Sequence, residues 1–216
     1  MARFDLVIFD CDGVVVDSER VVFEVFDAFI RSLGVYLSEA EMHEHFLGRR
    51  LAECMTIVAE LSGKPVPAGA LDRYCAERDR VLREQVQPVA GIREVLEALT
   101  IPYCIASSGD HDKMRLTLGA TGLMPFFEGR LFSATEVQSG KPAPDVFLYA
   151  AQRMGADPKR TAVVEDSVNG VLAGCAAGMT VFGFGGLTPT PKLRTAGAAR
   201  VFEDMAELPA LLGTAR

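Results

Sequence analysis

Four acidic residues, one lysine and a pair of serines carry the chemistry this chain offers. Asp10 and Asp12 close the apolar run Leu6-Val7-Ile8-Phe9, and Gly13 follows directly. Ser107 and Ser108 close a second run, Tyr103-Cys104-Ile105-Ala106, before Gly109. Glu165 and Asp166 close a third, Thr161-Ala162-Val163-Val164. Lys141 precedes Pro142 at the predicted start of a helix. Carboxylate oxygens suit a hard divalent cation such as Mg²⁺. That cation and a lysine together neutralise a phosphate group, while serine hydroxyls and turn N–H groups hold its non-bridging oxygens. One carboxylate can attack phosphorus. A neighbouring carboxyl can protonate the leaving oxygen and later activate water.

Taken singly these groups are ordinary. Asp-x-Asp-Gly is a common turn, and Glu-Asp-Ser is a common helix start. They gain meaning from the elements that must position them. Short apolar runs bounded by turn residues read as strands buried on both faces, the usual state of a parallel sheet. Further strands are predicted at Leu131-Phe132-Ser133, Thr180 to Phe184 and Arg200 to Phe202, with helices between them. Strand and helix alternate, so the expected fold is α/β, a doubly wound parallel sheet. All strand ends of such a sheet point one way, and ligands bind at the carboxyl rim. Residues far apart in sequence therefore converge there.

The stretch after the first strand follows a different pattern. Val21, Val22, Val25, Phe26, Phe29, Ile30 and Leu33 repeat at helical spacing, with Ser18 as the expected cap and Gly34 as the stop. Ser38 with Glu41 is a capping box for a second helix. Leu51 to Leu61 and Ala70 to Gln85 give two more. No strand is predicted here. The expected organisation is a core of residues 1–16 and 86–216, with a small helical insert at 17–85. The loop from Gly185 to Pro191 has no assigned role.

The 216 residues are 49% apolar, enough for a sizeable core, and carry a formal net charge of −7. Basic residues are not clustered, so nucleic acid is not an expected partner. No apolar run nears the length of a membrane span, and the run from Leu6 breaks at Asp10 before it resembles a signal peptide. The five cysteines lack C-x-x-C spacing and read as small buried hydrophobes in a reducing compartment. The expectation is a cytoplasmic protein, a monomer or a weak homodimer. Cys11 between the aspartates would need a cationic or histidine neighbour to act as a nucleophile. His43, His45 and His111 offer none, the first two on an exposed helix of the insert and the third in a loop.

Asp10-x-Asp12-Gly13, Ser107, Lys141 and Glu165-Asp166 resemble, in order, the four motifs of the haloacid dehalogenase-like superfamily. The helical insert after the first motif resembles the cap of its β-phosphoglucomutase-like branch. The likeness covers essentially the whole chain. It implies a Rossmann-like core with Asp10 as nucleophile and Asp12 as general acid and base. It implies Mg²⁺ held by Asp10, the Asp12 backbone carbonyl and Asp166, with Glu165 and Asn169 nearby or as occasional ligands. Ser107, Ser108 and Lys141 would bind phosphate. Ser18, Glu19, Arg49 and Arg50 would face the substrate from the cap. The dehalogenases of the superfamily have no second aspartate at this spacing, so Asp12 argues against halide chemistry. β-Phosphoglucomutases carry a histidine where Val22 stands and a lysine where Leu47 stands, which weighs against a mutase.

Ser107 to Met114 and Leu131 to Ser133 are similar to bacterial 6-phosphogluconate phosphatases. The expected activity is Mg²⁺-dependent hydrolysis of a small phosphorylated metabolite, a sugar, sugar-acid or polyol phosphate, through an aspartyl phosphate. A phosphosugar mutase is the alternative. A receiver-like or silent phosphate-binding module is the third reading, and it has no use for Asp12 or for a cap.

Overall fold

The computed structural model describes residues 4–46, 49, 51–186 and 188–213. Arg50, Leu47 and the Glu19 side chain lie outside the described residues. In chain order the elements are β1 (Leu6–Phe9), β2 (Val16–Asp17), α1 (Glu19–Ser32), α2 (Glu39–Phe46), α3 (Leu51–Ser62), α4 (Ala70–Gln85), β3 (Gln87–Pro88), α5 (Ile92–Ala98), β4 (Tyr103–Ser107), α6 (His111–Ala120), α7 (Met124–Phe127), β5 (Leu131–Ser133), α8 (Asp145–Met154), β6 (Thr161–Glu165), α9 (Val168–Ala176), β7 (Thr180–Phe184), α10 (Thr190–Thr195), β8 (Arg200–Phe202) and α11 (Leu208–Leu212).

The main sheet runs β5-β4-β1-β6-β7-β8, and every pairing is parallel. The period of two along β1 explains its double burial. Val7 and Phe9 join one core with Ile92, Met114, Phe127 and Leu208 of α5, α6, α7 and α11. Leu6 and Ile8 join the opposite core with Phe147, Val171 and Leu193 of α8, α9 and α10. Helices thus cover both faces, as the doubly wound reading requires. Phe9 lies opposite Ile105 of β4 and Val164 of β6, so the three strands end within two residues of one another. The chain leaves β1 toward β4 and leaves β6 toward β7, on the other side. The crevice at this reversal is where α/β sheets bind ligands.

Helices α1 to α4 bury a core of their own, including Phe26, Ile30, Met42, Val58 and Tyr74. The Ser38 N–H donates to the Glu41 carboxylate at 2.8 Å, and the Glu41 N–H returns to Ser38 Oγ, closing the expected capping box. Helix α4 packs on α1 and also on α6 of the core. The insert is not purely helical at its base. β2 and β3 pair antiparallel, Val16 with Pro88 and Asp17 with Gln87, and stitch the two connections together. Two-residue strands carry no periodicity, and Pro88 cannot donate to a ladder, so the sequence gives no sign of them.

Other differences are local. Helix α7 has no counterpart in the sequence pattern, and α10 begins at Thr190, inside the Gly185 to Pro191 loop. His111 opens α6, and its Nε2 lies 2.8 Å from Glu136 Oε2, so it has the partner the sequence did not reveal. Lys141 precedes α8 by four residues and sits in the loop ahead of it. All five cysteines are free thiols. No described helix is long and apolar enough to cross a membrane.

Candidate active site

The ladder extends one residue past β1, because the Asp10 N–H donates to the Val164 carbonyl at 2.9 Å. The chain then folds back at once. Gly13 adopts φ 78°, a left-handed conformation that glycine takes without a Cβ penalty, and its N–H donates to the Val16 carbonyl at 2.8 Å. This turn leaves Asp10 buried at the crevice floor and raises Asp12 into its wall.

Lys141 is the centre of the floor. Its Nζ donates to Asp10 Oδ1 at 2.6 Å, to Glu165 Oε1 at 2.7 Å and to the Ala106 carbonyl at 3.2 Å. An ammonium has three protons, so this set satisfies it fully. Burial pushes the Lys141 ammonium down, but the two carboxylates outweigh burial and hold it above its usual range. Burial lifts the Asp10 carboxyl; Lys141 draws it down, and the adjacent Glu165 and Asp12 carboxylates add to the rise. Asp10, Glu165 and Asp166 are all buried, and each offers an oxygen within 4.8 Å of the others. Clustered, buried oxygen donors of net negative charge are the chemistry a hard divalent cation satisfies.

Glu165 is fixed on all sides. Its Oε2 accepts from the Ser167 N–H at 2.9 Å and from Ser167 Oγ at 3.0 Å. Ser167 also caps α9 by accepting from the Gly170 N–H at 3.0 Å. A Cβ on Gly170 would lie 1.7 Å from Glu165 Oε1, so the close approach demands glycine. Gly170→Ala should therefore destabilise by about 1–3 kcal/mol through overpacking, despite alanine's better helix propensity. Beyond its chain neighbours and its own helix backbone, nothing lies within 4 Å of a would-be Cβ on Gly119 of α6, so Gly119→Ala should stabilise by about 0.5–1 kcal/mol. Thermal melts of the two variants moving in opposite directions would bear this out.

Asp12 faces away from that cluster. Its Oδ1 accepts from Ser18 Oγ, and its Oδ2 lies 2.8 Å from Lys113 Nζ. Burial would raise this carboxyl, but the Lys113 charge and hydrogen bond and the Ser18 hydroxyl outweigh it and hold it below the usual range. Ser18 was expected to cap α1. It makes no side-chain cap, because its hydroxyl is spent on Asp12. Burial pushes the Cys11 thiol well up, and Cys11 lies in the hydrophobic core, so it is no nucleophile.

Above these groups is a cavity of about 430 Å³, within the range of about 300–1,000 Å³ typical of small-ligand sites. Asp10, Asp12, Ser18, Arg49, Ser107, Ser108, Lys141, Glu165 and Asp166 all line it. Ser107 Oγ accepts from the Gly109 N–H at 3.0 Å, which shapes the turn after β4. The insert contributes an apolar wall including Val22, Phe23, Phe46 and Tyr74. His43 lies half-buried in this wall, its ring edge-on to Phe23, where the sequence suggested an exposed position.

Sequence reasoning missed Lys113, Arg78 and Gly170, and read Ser167 only as one of two candidate starts of α9, the role its cap bears out, without its bonds to Glu165. One signal existed for Lys113: it stands in the first turn of α6, where the helix dipole disfavours a cation. Arg78 and Gly170 become visible only once α4, β6 and α9 are in place.

A family model described as haloacid dehalogenase-like hydrolase matches residues 4–178. The chain is 32% identical over 185 residues to a 6-phosphogluconate phosphatase of Escherichia coli, covering 85% of this chain and 84% of that one. It is 29% identical to a β-phosphoglucomutase of Mycobacterium tuberculosis, over 93% of this chain and 90% of that one. A solved haloacid dehalogenase-like protein of Agrobacterium tumefaciens superposes with a TM-score of 0.83 at 37% identity, covering 97% and 98% of the two chains. The chain belongs to the haloacid dehalogenase-like hydrolase family.

Proposed function

We propose that the protein is a Mg²⁺-dependent phosphatase that hydrolyses a small phosphorylated sugar, sugar acid or polyol through an aspartyl phosphate on Asp10. The observation that carries this reading is the buried Asp10–Lys141–Glu165 cluster beside Asp166, at the floor of a cavity walled by Asp12, Ser107 and Ser108. The similarity to 6-phosphogluconate phosphatase supports it.

Asp10, Asp166 and the Asp12 backbone carbonyl would hold the metal, with Glu165 orienting the cluster from its bonds to Lys141 and Ser167. Bound Mg²⁺ neutralises phosphate charge and keeps Asp10 ionised. Lys141 adds a second positive charge at the same place. An Asp10 oxygen attacks phosphorus, the ester P–O bond breaks, and Asp12 delivers a proton to the departing oxygen. A water then attacks the acyl phosphate, Asp12 takes its proton, and phosphate leaves with Asp10 restored. To do this Asp12 must turn from Ser18 and Lys113, whose contacts hold it ionised, toward the phosphate and take up a proton from solvent before the first step.

The insert, residues 17–85, acts as a cap over the core of residues 1–16 and 86–216. The β2–β3 ribbon is its joint. Arg49 lines the cavity from an exposed position and would meet the substrate as the cap closes. Arg50 and Glu19 are assigned to the same face from sequence. Val22 presents an apolar side chain to the cavity where a mutase would carry its histidine.

Phosphate release across hexose, pentose, polyol and sugar-acid phosphates with Mg²⁺ tests the reading. Release from one class supports it. Conversion of β-glucose 1-phosphate to glucose 6-phosphate, with no release, would identify a mutase. Chelation with EDTA should abolish release, and added Mg²⁺ should restore it. Turnover that survives EDTA would remove the metal from the account.

A further inference from the structure

We propose that Lys113 is an anion subsite, and that the substrate carries a second negatively charged group besides its phosphate. The inference rests on the phosphatase reading above and narrows its substrate class to phosphorylated acids, as against neutral sugar or polyol phosphates.

Lys113 occupies a costly position. It lies in the first turn of α6, where the helix dipole opposes a cation. Asp110 caps that helix by accepting from the Lys113 backbone N–H at 2.8 Å, so the side chain serves no capping role. A local misfit of this kind marks a position held for function. The Lys113 side chain is only 14% exposed, and Asp12 is its one carboxylate partner among the described residues.

That pairing is temporary under the proposed mechanism. Asp12 has one oxygen on Ser18 and the other at Lys113, and it must leave both to reach the leaving group. Lys113 then stays in the cavity wall without an ion-pair partner, since Asp110, which also lines the cavity, is engaged with the Lys113 backbone N–H. An unpaired, largely buried ammonium is strongly unfavourable. Arg78 does not change this balance. It projects from α4, which packs on α6, is 7% exposed, lines the same cavity, and its charge acts on Asp12. Asp79 holds the Arg78 guanidinium at 2.6 Å and offsets only that charge. A neutral polyol offers hydroxyls to this region but no compensating charge. A carboxylate or second phosphate supplies it and takes over the ammonium as Asp12 departs. Binding of the acid then favours the catalytic position of Asp12.

The test compares kcat/KM for matched pairs in the Mg²⁺-loaded enzyme. The pairs are 6-phosphogluconate against glucose 6-phosphate, 3-phosphoglycerate against glycerol 3-phosphate, and fructose 1,6-bisphosphate against fructose 6-phosphate, with p-nitrophenyl phosphate as a common reference. Wild type should favour the anionic member of at least one pair by about tenfold or more, the worth of a good charge-assisted contact. Lys113→Met should shrink that ratio to about threefold or less, and Lys113→Arg should keep it. Losses that strike every substrate cancel in the ratio, so a general effect on Asp12 or on folding does not mimic the result. Lys113→Gln gives the same reading if the methionine variant does not fold. Equal kcat/KM within every wild-type pair would overturn the subsite, as would a preference unchanged by Lys113→Met. Absence of release from every compound, the aryl phosphate included, would overturn the phosphatase reading itself.

Discussion

Asp10→Asn should lower turnover by about 10⁴-fold or more while leaving the fold intact. The substitution keeps the shape of the side chain and removes the charge that attacks phosphorus. Loss of a covalent nucleophile removes the pathway, so the residual rate reflects binding and electrostatics alone. The structure explains why the variant should still fold. Lys141 loses one carboxylate partner but keeps Glu165 and the Ala106 carbonyl, so its buried ammonium is not orphaned. One negative charge also leaves a crowded cluster of three. The melting temperature should shift by only a few degrees. A variant with activity within about tenfold of wild type would take the nucleophile away from Asp10.

Asp12→Asn should cost about 10²–10⁴-fold, the usual worth of a positioned general acid and base. The amide can accept from Lys113 or Ser18, but it can neither donate a proton to a departing alkoxide nor take one from water. The loss should therefore depend on the leaving group. An alkyl phosphate needs the proton and should suffer most. p-Nitrophenyl phosphate leaves as a stable anion and should suffer less in the first step. Equal losses on both esters would point to the second step, water attack, as the one Asp12 limits. An unchanged rate on alkyl esters would place the acid elsewhere.

Most of the site was legible because it is written at strand ends. A strand buried on both faces must read as an apolar run, so the break at Asp10, at Ser107 and at Glu165 is sharp. Parallel topology then does the rest, bringing those breaks to one rim. What escaped was of two kinds. Two-residue pairings such as Val16 with Pro88 have too little length for any period to show. Side chains that reach the site across the fold, such as Arg78 from the insert and Lys113 from α6, depend on how helices dock and not on their own neighbours in sequence. Ser18 illustrates a further limit. Its position fits a helix cap, but a nearby carboxylate competes for the same hydroxyl, and the charged acceptor wins. The Asp10–Lys141 contact joins residues 131 apart, a separation no local pattern reports.

Capture of the phospho-enzyme distinguishes covalent catalysis on Asp10 from direct attack by water. A reactive phosphate ester labelled at phosphorus is mixed with the Mg²⁺-loaded protein, quenched in acid within one turnover, and the digested peptides are read by mass spectrometry. One phosphoryl group is expected on the peptide carrying Asp10, lost in mild base as an acyl phosphate is, and absent from Asp10→Asn. Label on the peptide carrying Ser107 and Ser108, or phosphate release with no labelled peptide at any quench time, would rule out the aspartyl phosphate on Asp10.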